Sequence, residues 1–118
     1  MNLTFIYVAT FERSAAELLS DTEMLEVERQ LLANPQAGAV IAGTGGARKL
    51  RVALPGQGKR GSARVIYAYV VVASRVYFIL AYAKNRRADL SAGQKVAIAA
   101  IVRQLQAESC DEQTDTTK

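Results

Sequence analysis

Histidine is absent from the 118 residues, and a single cysteine, Cys110, is present. Without an imidazole there is no Ser-His-Asp triad, no Cys-His pair, no His-ligated metal and no His-based general acid or base. One cysteine makes neither a disulfide nor a zinc cage, which points to a reducing compartment and to a protein without a metal or other cofactor. No stretch reaches the roughly 20 uninterrupted apolar residues of a membrane span. The opening MNLTFIYVATFER lacks a basic leader and reads as a first strand, not a signal peptide, so a cytoplasmic protein is expected. Acidic residues are also missing from one long segment, 47 to 87.

What is present is enough for one compact domain. Half the residues are hydrophobic, and a chain of this length hides about two thirds of its unfolded surface. The net charge of +4 conceals a strong asymmetry. Residues 1 to 46 carry 2 basic and 6 acidic side chains, and residues 88 to 118 carry 3 and 5. Between them lie 10 cations and no anion: Arg48, Lys49, Arg51, Lys59, Arg60, Arg64, Arg75, Lys84, Arg86 and Arg87. Such a segment repels itself unless an anionic partner offsets it, and its concentration in one sheet favours nucleic acid over a merely solvated face.

Read in order, Asn2 to Val8 alternates as a strand, with Leu3, Phe5 and Tyr7 on one side. Phe11, Ala15, Leu18 and Leu19 then take helical spacing. A second helix starts at Ser20-Asp21-Thr22-Glu23, a capping-box pattern, and stops at Asn34-Pro35. After the glycines of Gly43 to Gly46, the run Ala47 to Leu54 alternates so that Leu50, Val52 and Leu54 face a core while Lys49 and Arg51 face away. Pro55 to Gly61 is a loop by composition. Ser62 to Ala73 and Val76 to Lys84 are apolar on both sides and read as adjacent central strands joined by a short antiparallel hairpin. A last helix opens at Ser91-Ala92-Gly93-Gln94 and runs to about Glu108. Residues 1–108 thus form one domain, followed by a tail over 109–118. The fold class is α+β: a small antiparallel sheet with two N-terminal helices and one C-terminal helix packed on it.

A hairpin turning about Ser74 sets Arg64 opposite Lys84 and Ile66 opposite Tyr82. Two cations facing each other across a strand pair destabilise it, so the pairing suggests use. With Lys49 and Arg51 it would form a basic face. Cations suffice to cleave RNA when they hold the 2′-hydroxyl in line and neutralise the phosphorane and the leaving oxygen. A lysine crowded by arginines loses its proton more easily, which makes Lys84 or Lys49 a candidate base and Arg64 a phosphate clamp. Tyr82 fits a proton donor or a base-stacking group, although an aromatic in a central strand is more often core than catalytic. The GTGG run is not a phosphate loop, since no GxxxxGK(S/T) string is present and a strand follows it. Its glycines fit a tight entry into that strand. Gly58 to Gly61 suits an RNA backbone contact or a plain solubilising loop.

The combined strings NPQAGAVIAGTGGARKLR, GKRGSARVIYAY and YFILAYAKN, with Asp89-Leu90-Ser91 before the last helix, resemble the RelE/HigB toxins of bacterial type II toxin-antitoxin systems, in particular the HigB-type branch. The resemblance implies a metal-independent endoribonuclease that enters the ribosomal A site, cuts mRNA and inhibits translation, with a cognate antitoxin as partner, expected to be acidic. It places Arg64 at the family's strand arginine near the scissile phosphate and Lys84 at the basic residue closing the last strand, and matches Lys49, Lys59 and Arg60 to basic positions on the substrate or ribosomal RNA. Lys49 and Tyr82 join the catalytic set from the residue pattern above, and the resemblance does not give Tyr82 the family tyrosine's role. Arg48, Arg51, Lys59, Arg60, Arg86 and Arg87 are then expected on RNA. Archetypal RelE enzymes carry a tyrosine just after the last strand or on the final helix, and Asn85 to Lys95 holds none, which leaves more of the catalysis to charge. Two other readings share these residues: a ParE-like toxin that inhibits DNA gyrase without nuclease activity, and a catalytically inactive basic RNA-binding module.

Overall fold

The computed structural model describes residues 2–53, 62–84 and 89–116, with side chains through Ser109. Its elements are β1 (Thr4–Tyr7), α1 (Ala9–Ala15), α2 (Asp21–Ala33), β2 (Ala39–Val40), β3 (Arg48–Ala53), β4 (Ser62–Val70), β5 (Arg75–Ala83) and α3 (Ala92–Thr116). The strands form one sheet in the order β1-β5-β4-β3-β2. Three of its four pairings are antiparallel: β3–β4 and β4–β5, as expected, and β2–β3, whose two-residue strand the sequence reading did not identify. The fourth is parallel: β1 lies beside β5 and makes the sheet mixed. The α1–α2 connection carries the chain across the sheet to its far edge at β2, and the three antiparallel steps from β2 back to β5 bring β5 beside β1 in the same direction.

Helices cover both faces. Phe11, Ala15, Leu19, Val27 and Leu31 of the α1–α2 region pack on Leu50, Val52, Val65, Tyr67, Val76 and Phe78. Ile98 and Val102 of α3 pack on the other side against Ile66, Ala68, Ile79 and Tyr82. This explains why β4 and β5 are apolar on both sides, as central strands must be when neither face meets water. Phe78 anchors an aromatic cluster with Phe5, Tyr7 and Phe11. At its edge the Tyr7 hydroxyl donates to the carboxylate of Glu28, whose pKa is raised by burial.

Local signals in the sequence are realised. Ser20 accepts from the Glu23 N–H at 3.1 Å while the Glu23 carboxylate accepts from the Ser20 N–H at 2.9 Å. Ser91 and Gln94 repeat the arrangement at the start of α3. That helix continues to Thr116 instead of ending near Glu108, because no glycine or proline follows Gly93 to stop it. Residues 109–116, expected as part of a tail, are therefore helical in backbone.

The β4–β5 hairpin differs from expectation in register. Its loop, Val71 to Ser74, is a 3-10 turn ending in Ser74 at φ 52°, so that Val70 pairs with Arg75. Further along, Tyr67 pairs with Phe78 but Ile66 pairs with Leu80, leaving Ile79 as the extra residue of a bulge. Arg64 consequently sits opposite Tyr82 and not Lys84, and Ile66 opposite Leu80 and not Tyr82. The displacement at Arg64 is two residues, an even number, so each side chain keeps its expected face. Among the described residues no helix is long and apolar enough to cross a membrane.

Candidate functional site

β3 delivers the first two cations. Leu50 and Val52 are buried toward α1 and α2, so alternation turns Lys49 and Arg51 to the α3 side. There Arg51 pairs directly with Arg64 of β4, which pairs with Tyr82 of β5. One row across three strands thus reads Arg51, Arg64, Tyr82. The adjoining row reads Lys49, Ile66, Leu80. The Arg64–Lys84 pair anticipated in the sequence is not formed: Tyr82 stands in the place expected for Lys84, and the cation paired with Arg64 is Arg51, on its other side in β3.

Within this row Arg51 is exposed and Arg64 half-buried. The Arg64 Nη1 makes two long contacts of 3.4 Å, to Ser62 Oγ and the Ala63 carbonyl. Among the described residues no carboxylate forms an ion pair with either arginine. Tyr82 is only 8% exposed and belongs to the α3-side core. Lys84 lies past the end of β5, exposed, and its backbone N–H donates to the Ser62 carbonyl at 3.2 Å. Lys59, Arg60, Arg86 and Arg87 lie outside the described residues, as does the loop around Gly58.

Lys49 has a partner that the sequence reading did not single out. Its Nζ lies 3.8 Å from Asp89 Oδ1, just before α3. That same oxygen accepts the Leu90 N–H at 2.8 Å. The backbone hydrogen bond, and after it the positive charge of Lys49, holds the Asp89 carboxyl below its usual value. Lys49 is therefore not a lysine surrounded by cations alone, the condition under which it was considered as a base. Asp89-Leu90-Ser91 was visible as a string before the last helix, but nothing in it told which cation the carboxylate would meet.

Other prominent sequence features prove to be architectural. Three of the Gly43–Gly46 residues, Gly43, Gly45 and Gly46, have φ between 73° and 113°. Thr44 between them is fully buried, donating to the Ile41 carbonyl and accepting from the Ala47 N–H. This tight entry into β3 is the role expected of those glycines. Arg48 Nη1 donates to the carbonyls of Gln36 and Gly38, at 3.1 and 2.7 Å, which ties part of its guanidinium to the segment after α2. Among the described residues no group of three or more His, Cys, Asp or Glu side chains could hold a metal.

A sheet face carrying two adjacent guanidiniums, an ammonium at its edge and an aromatic at its end suits a phosphodiester. Arginine forks bind phosphate oxygens in pairs and stay charged throughout any reaction cycle. Residues 4–117 match the family described as the RelE toxin of the RelE/RelB toxin-antitoxin system. Among solved structures, an arginine-to-alanine double mutant of the E. coli toxin RelE in the free state matches with a TM-score of 0.51. It shares 17% sequence identity, and the match covers 85% of this chain and 96% of that one.

Proposed function

The chain belongs to the RelE toxin family, and from that premise we propose that it is a ribosome-dependent endoribonuclease that cuts mRNA in the A site and so inhibits translation in the cytoplasm. The observation that carries the reading is the Arg51–Arg64 pair, two directly opposed cations with no carboxylate ion-paired to them among the described residues. Opposed like charges cost stability in the free protein. A phosphate between them removes that cost, and the site becomes more favourable as negative charge builds up on the phosphorane.

In this mechanism the ribose 2′-oxygen attacks the adjacent phosphorus and loses its proton, while the bond to the 5′-oxygen of the next nucleotide breaks and that oxygen gains one. Arg64 and Arg51 hold the non-bridging oxygens. Lys49 adds positive charge at the edge of the row. Tyr82, nearly buried, braces Arg64 from the α3 side. Lys84, exposed beyond β5, reaches the RNA from the end of the row, and Lys59, Arg60, Arg86 and Arg87 contact backbone phosphates, whereas Arg48, on the α1–α2 side of β3 and bonded to the Gln36 and Gly38 carbonyls, does not. No metal is required, because the cations of the chain supply the charge.

Membership of a toxin-antitoxin family gives the protein a cognate antitoxin as partner. An acidic antitoxin segment complements the basic face and associates with it quickly. The test is cleavage of mRNA on programmed ribosomes, with ribosome-free RNA as control. Arg64→Ala should lower the rate about 100- to 1,000-fold, the usual effect of removing one charge-stabilising donor. Intact mRNA with the wild-type protein, despite growth arrest on expression, would overturn the nuclease reading in favour of a gyrase-directed toxin.

A further inference from the structure

Asp89 presents a contradiction in charge: it puts a carboxylate at the rim of a face built to take an anion. Its exposure, with 57% of the side chain accessible against 30% for Lys49, means that the ion pair does little for the stability of the fold. Its placement is nevertheless well determined. Oδ1 is anchored by the Leu90 N–H, Leu90 is itself 6% exposed within the α3-side core, and the next residue caps α3. From that fixed point the carboxylate meets Lys49, whose strand neighbour is Ile66 and whose next neighbour along β3 on this face is Arg51. Beside the pair an open cavity of about 480 Å³ is lined by Asp89, Leu90, Ser91 and Gln94.

We propose that Asp89 is a positioning residue, which holds Lys49 across the gap between α3 and the sheet so that its ammonium meets the RNA backbone next to Arg51 and Arg64. The proposal rests on the nuclease reading for its purpose. A lysine side chain has four rotatable carbons and a point charge without a fixed fork, so it benefits from an external tether more than arginine does. In the free protein Asp89 occupies the ammonium. When RNA enters, a phosphate oxygen takes a place beside it, and the carboxylate on the far side keeps the amine from swinging back into solvent. The same carboxylate repels the RNA, so it raises the rate of cleavage at some expense of binding.

The test uses the full-length protein and the variants D89N, K49Q and the double variant. Asparagine keeps an oxygen for the Leu90 N–H and removes only the charge. D89N should lower kcat on programmed ribosomes on the order of tenfold through misplacement of Lys49, while KM falls about threefold as the repulsion disappears. A residue with only a structural role would not shift kcat and KM in this divergent way. In the K49Q background, D89N should leave kcat unchanged. An independent readout is acylation of Lys49 by an amine-selective reagent, mapped by mass spectrometry, which should quicken about threefold in D89N. A kcat loss of equal size in both backgrounds, or unchanged Lys49 acylation, overturns the assignment of Asp89. Absence of cleavage by the wild type overturns the nuclease reading instead, and the acylation result still tells whether Asp89 holds Lys49.

Discussion

Tyr67 and Gly38 show how much of the basic face depends on residues that never reach it. The Tyr67 ring is fully buried, and its hydroxyl donates to the Pro35 carbonyl and accepts from the Gly38 N–H, both at 2.9 Å. Burial raises its pKa. Gly38 approaches so closely that a Cβ would lie 2.9 Å from both the Lys49 carbonyl and the Tyr67 ring. Tyr67→Phe leaves two backbone groups without their partner and should cost about 1–3 kcal/mol. Gly38→Ala should cost a similar ~1–3 kcal/mol through overpacking against backbone that has no room to yield. Urea denaturation of the two variants checks both values. A second residue-scale prediction concerns acid. The depressed pKa of Asp89 means that its contribution to stability is complete above the ordinary 3.8 and is lost as pH falls through the lower folded value. The stability difference between wild type and D89N should therefore shrink on going from about pH 6 to about pH 2.5, as measured by thermal melts across that range.

At the scale of elements, the hairpin loop is the place to intervene. Ser74 at φ 52° is the only non-glycine residue with positive φ among the described residues. Ser74→Gly should raise stability by about 0.5–1 kcal/mol, since relief of the left-handed strain exceeds the added freedom of the unfolded chain. A higher denaturation midpoint with unchanged cooperativity would show it. This loop also marks where reading from sequence stopped. The caps at Ser20 and Ser91 were legible because each needs only four consecutive residues. The opposite orientations of Leu50 and Lys49 were legible because alternation in β3 separates a buried face from a polar one. β4 and β5 have apolar residues on both faces, so no such contrast fixed their register. The 3-10 turn and the bulge at Ile79 then displaced the pairing of Arg64 from Lys84 to Tyr82. The Arg51–Arg64 contact depends on register across a loop, and the parallel pairing of β1 with β5 on contacts far apart in sequence. Neither leaves a local trace. The role of Asp89 was missed for the same reason: it is a carboxylate just before α3 whose partner lies on β3, far away in sequence.

For the molecule as a whole, the sheet separates two surfaces of different charge. The acid-rich α1–α2 region covers one face, and Lys49, Arg51 and Arg64 occupy the other beside α3. If these three side chains contact phosphates, the affinity for single-stranded RNA should fall with salt at a log-log slope of about −2 from them alone. Arg51→Ala should make the slope shallower by about 0.7, while a substitution on the exposed side of α2 such as Glu26→Gln should leave it unchanged. Fluorescence anisotropy over a salt series measures both. An unchanged slope in Arg51→Ala would remove that residue from the RNA contact.

The strand order also governs when such a protein comes into being during its own synthesis. β1 precedes the other described strands in synthesis, yet its only neighbour among them is β5, about 70 residues further along the chain. At the pace of translation those residues take about 4–14 s to appear. Until then Arg51 and Arg64 lack the strand that brings Tyr82 beside them. On the proposed nuclease reading, the nascent chain would leave its birthplace unharmed for most of its elongation, and an antitoxin already present would have that interval in which to be waiting when the last strand locks into place.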